Sequence, residues 1–203
     1  MPTVPELLGM LQKEITSFTR GCERAFFLTT QRLLSDLDSV DPKKFREFGC
    51  SDSDAFHELL LTHYGRILRH ETTDLTELLS ALTTVFKPTV LAYALWVHVP
   101  QLTVRAAVAQ QFIQRAAQNP AQFGAKEFLI LNGMIQELRK VYDSYREWRA
   151  DNDKQNELVP IMENAHWGAI EARLDQLGEA FGASKGDTKK LSKDTTKIIR
   201  KDE

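Results

Sequence analysis

The stretch Pro88-Thr-Val-Leu-Ala-Tyr-Ala-Leu-Trp-Val-His-Val-Pro100 decides how the rest of the chain is read. It is apolar on every side, broken only by Thr89 and His98. A helix without a polar face must be wrapped by other elements or lie in a membrane. Positions 89–99 are too few for a membrane span, which takes about 20 residues. Lys87 and Pro88 block extension towards Val85 and Phe86. The segment therefore predicts a central, enclosed helix bounded by its two prolines. His98 falls near its C-terminal end, where the helix dipole is negative.

The flanking sequence supplies faces to cover such a helix. Thr3 precedes Val4-Pro5-Glu6, combining a hydroxyl cap, a proline in the first turn and a carboxylate three residues after the cap. Val4, Leu8, Leu11, Ile15, Phe18, Cys22 and Phe26 follow at three- and four-residue steps, and Leu33 and Leu37 extend the stripe. This predicts a long first helix to about residue 37, with a bend expected at Gly21. Asp41-Pro42 starts a short helical turn closed by Gly49. Ser51 and Ser53 are expected to cap a helix carrying Phe56, Leu60, Tyr64 and Ile67. Asp74 with Glu77 begins another, with Leu78, Leu82 and Val85 inside. Thr103 is expected to cap a separate element ending near Asn119-Pro120. Phe128, Leu131, Ile135, Leu138, Val141, Tyr145 and Trp148 mark the next. The last helix is expected to have Pro160 in its first turn and to stop at Gly182. No alternating run long enough for a strand competes. The fold class is all-α: a single bundle of six to eight helices over 1–182 around the segment 89–99, followed by a Lys-rich tail over 183–203.

Charge and cysteine content bound the function. The net charge is −2, but residues 183–203 hold seven Lys/Arg against four Asp/Glu, leaving 19 basic and 24 acidic residues in 1–182. An acidic body does not signal a general nucleic-acid surface. Two cysteines make neither a disulfide framework nor a metal spacing, and Met1–Met10 lacks the pattern of a secretory signal. The expected location is cytoplasmic or another reducing intracellular compartment, a virion interior included.

Motifs for chemistry are sparse. Glu163-Asn-Ala-His166 has the Glu-x-x-His spacing of di-metal bundles, but such a site needs a second copy and two further inward glutamates, and no other glutamate is followed by histidine at three residues. His57, His63 and His70 stand six and seven residues apart, too far for a chelating pair on one helical turn. Cys22 lies on the apolar stripe, and Cys50 sits beside Ser51-Asp52, a setting unsuited to a thiolate. No phosphate-cradling loop, nucleophile elbow or dinucleotide fingerprint is present. The sequence gives no support to an enzyme, a metal, a cofactor or a small-molecule substrate.

Association remains. The first expectation is a non-enzymatic structural protein that forms a homo-oligomer through amphipathic helices, with Leu8, Leu11, Ile15, Phe18 and Phe26 as the interface. On that reading Leu11→Asp or Phe18→Asp dissociates the oligomer and spares the helicity. The second is a coat- or nucleocapsid-type protein packaging RNA. Arg139, Lys140, Arg146 and Arg149 interleave with Tyr142, Tyr145 and Trp148, as in single-strand binding, and Lys189, Lys190, Lys193, Lys197, Arg200 and Lys201 add cations in the tail. The same spacing also continues a core stripe, with Asp143 placed to pair with Arg139 or Arg146. The third is a helical carrier of an apolar ligand.

Overall fold

A computed structural model of the chain describes residues 1–182, without the side chains of Asn164 and Ala165. The tail expectation, 183–203, lies outside the described residues. Among them the chain is all-α, with seven α-helices and no strand. The helices are α1 (Val4–Ser35), α2 (Ser53–Leu68), α3 (Thr76–Val85), α4 (Val90–Tyr93), α5 (Val99–Gln118), α6 (Ala125–Asn152) and α7 (Asn164–Ala180). One antiparallel bridge, Val40 with Phe86, is the β-type pairing present.

The helix ends follow local chemistry. Thr3 and Glu6 form the expected capping box: the Thr3 amide donates to Glu6 Oε2 at 2.7 Å, and the Glu6 amide to Thr3 Oγ1 at 3.4 Å. The Thr3 amide and hydroxyl, both donating to Glu6 Oε2, hold the Glu6 carboxyl below its ordinary range. Asp41 accepts from the Lys43 amide and opens a 3-10 helix, Pro42–Phe48, which Gly49 closes at φ 72°. Gly182 stops α7 at φ 73°. At α2 the cap is Asp52 rather than either serine; its carboxylate accepts from the Ala55 amide at 2.8 Å.

Three expectations need correction. Pro100 does not end the central segment. The chain passes through it, because Ala94–His98 widens into a π-helix in which the Val99 amide donates to the Ala94 carbonyl, five residues back. A proline lacks an N–H and its ring crowds the carbonyl four residues earlier, and a π-turn just before it relieves both problems. Thr103 is therefore inside a helix, not at its cap. Its hydroxyl donates to the Val99 carbonyl at 2.7 Å. Pro160 lies ahead of α7, which begins at Asn164. Asp153 holds the intervening chain out of helix by accepting from the Glu157 and Leu158 amides.

The described residues fall into two compact units. The first draws on Met1–Phe18, Val108–Lys140 and the chain from Met162. Its interior holds Leu8, Leu11, Ile15, Phe128, Leu131, Ile135, Ile170 and Leu177, all buried. The Phe18 ring meets Trp167 edge-on at 6.1 Å, and Phe181 packs against Phe123 and Phe128. The second unit draws on Thr19–Ala107 and Val141–Ile161. Phe26 and Tyr64 stack at 4.0 Å with their planes 6° apart, and Phe56 touches Phe45, Phe48 and Phe86. Here α1 runs through Gly21 as one helix. The glycine answers a packing need: a Cβ on it would lie 1.9 Å from the Ile161 carbonyl oxygen.

Candidate association surface

The run 90–98 is not enclosed on every side. Leu91, Ala92, Ala94, Leu95 and His98 are buried, whereas Val90, Tyr93 and Val97 are 42, 45 and 51 % exposed. Their steps of three and four bring them to one side of the helix. Trp96 adds a half-buried indole, edge-on to Tyr93 at 5.3 Å. Its N–H is turned away from solvent and meets no acceptor among the described residues. Between Lys87 and Arg105 the sequence has no Asp, Glu, Lys or Arg, so this apolar face carries no charge. The sequence hid it through lack of contrast: where every position is apolar, periodicity cannot mark which side is uncovered.

His98 points the other way. Its ring lies 5.4 Å from Tyr145 and 4.6 Å from Trp148, and burial lowers its pKa. The helix-dipole argument for a favoured cation at this position yields to desolvation, because the helix continues past it to Gln118.

The residues expected at an oligomer interface are elsewhere in the packing. Leu8, Leu11, Ile15, Phe18 and Phe26 all have 0 % exposure in the chain alone. Their stripe is satisfied inside the protein and presents no surface to a second copy.

The segment 139–149 is likewise drawn inward. Tyr142 and Tyr145 are each 2 % exposed, so neither ring offers a face on which a base can stack. Burial raises the Tyr142 phenol and pushes Tyr145 up to about 12. Arg139 pairs with Glu171 and lies over the Trp167 ring at 5.3 Å. Arg146 pairs with Asp143 and covers the Tyr142 ring at 5.8 Å. Arg149 meets Asp153 at 3.4 Å and donates to the Leu158 carbonyl. Lys140 is exposed. The six tail cations, Lys189 to Lys201, lie outside the described residues.

The other titratable candidates have structural partners. The Thr30 hydroxyl lies 3.0 Å from His57 Nε2 and within hydrogen-bond distance of the Phe26 and Phe27 carbonyls. His63 pairs with Glu77 at 3.3 Å. Cys22 is buried, and desolvation pushes its thiol up to about 12, which removes it as a thiolate nucleophile at neutral pH. Cys50 is buried and directs its thiol to the Phe48 carbonyl. Among the described residues no group of three or more His, Cys, Asp or Glu could hold a metal ion, and no helix is long and apolar enough to cross a membrane. Comparison of the chain with protein-family models, curated proteins and solved structures finds no match.

Proposed function

We propose that this chain is a non-enzymatic interaction protein that associates with copies of itself through the exposed face Val90–Tyr93–Val97. The observation that carries the reading is that face: apolar, uncharged over 88–104, and stepped by three and four residues on one helix. Two identical copies of such a face meet without burying a charge or opposing like charges, which a two-fold interface requires of a self-complementary patch. Tyr93 and Trp96 supply the aromatic anchor around which interface energy concentrates.

Light scattering on the eluting protein, from the low micromolar range to the highest concentration it tolerates, tests this reading. The mass should rise with concentration in the wild type and stay at the single-chain value for a Tyr93→Ser, Val97→Ser variant with unchanged helicity. A wild type that remains a monomer throughout overturns it. The same sample separates the alternatives. A high ratio of absorbance at 260 to 280 nm, lost on truncation after Gly182, would favour RNA packaging through the tail. A co-purified apolar molecule in native mass spectrometry would favour a carrier.

A further inference from the structure

We draw no further inference here: the strongest candidate, the open groove between α1 and α2 lined by Leu34, Leu37, Val40 and Phe45, carries none, because the mixed charges along 36–54 select no occupant and nothing in the structure shows what covers it.

Discussion

The Tyr64 hydroxyl donates to Thr103 Oγ1 across 2.8 Å, inside the second unit. The direction follows from counting hydrogens. Thr103 has one, and it goes to the Val99 carbonyl at 2.7 Å, so only Tyr64 can donate. Tyr64 also stacks on Phe26, and burial holds its phenol well above the ordinary tyrosine range.

That direction makes the two partners unequal to mutation. Thr103→Val leaves a buried phenol with no acceptor and should cost about 1–3 kcal/mol. Tyr64→Phe leaves only a threonine oxygen whose hydrogen is already used, and should cost about 0.5–1.5 kcal/mol. The double variant should be more stable than the sum of the singles implies. Urea melts of all four proteins measure this coupling, and strict additivity would show that the bond is not the one described.

Gly21 should be intolerant of the smallest change. Gly→Ala in the middle of an exposed helix is normally stabilising by up to about 1 kcal/mol. Here the added methyl would sit 1.9 Å from the Ile161 carbonyl oxygen, and backbone atoms cannot move aside as a side-chain end can. Gly21→Ala should therefore destabilise by about 1–3 kcal/mol. Gly133, where an added methyl would meet nothing within 4 Å, serves as the control. Gly133→Ala should hold or raise the melting temperature.

These glycines show where the sequence stops being informative. Features decided within a few residues were legible: the Thr3–Glu6 box, the Asp41 cap, the Gly49 and Gly182 stops, and the all-α class itself. Features decided by distant chain were not. Nothing near Gly21 reveals that Ile161 will pass over it. Nothing in 88–100 reveals that a π-turn will carry the helix through Pro100, or that Val90, Tyr93 and Val97 will be the side left uncovered. The stripe Leu8–Phe26 was legible as apolar and periodic, but periodicity is the same for a helix that packs within its own chain and one that packs on a second copy.

Acid should destabilise the fold through His57 and His98. Burial lowers both pKa values below the unfolded value of about 6.5. The unfolded chain then binds more protons than the folded one just below that pH, so stability rises with pH there. The contribution is fully present above about pH 6.5 and is lost as pH falls through that value toward the folded pKa values. Thermal melts from neutral to mildly acidic pH should show a falling midpoint. His98→Phe keeps a ring beside Tyr145 and Trp148 and should flatten the slope; an unchanged slope would place the proton uptake elsewhere.

Aspartate at Phe18 distinguishes a core stripe from an interface stripe. Phe18 is wholly buried against Trp167, so Phe18→Asp must bury a carboxylate or open the first unit around it. An unpaired buried charge costs several kcal/mol, a large share of the stability of a domain this size. The variant should lose helical signal and cooperative melting at every concentration, and Leu11→Asp should behave likewise. Tyr93→Ser changes a residue already 45 % exposed and should leave the melting temperature of the single chain nearly unchanged while lowering the mass seen at high concentration. The reverse pattern, a folded Phe18→Asp monomer and an unfolded Tyr93→Ser, would return the interface to the Leu8–Phe26 stripe. The two circular dichroism melts and the two masses decide between these arrangements without any knowledge of the natural partner.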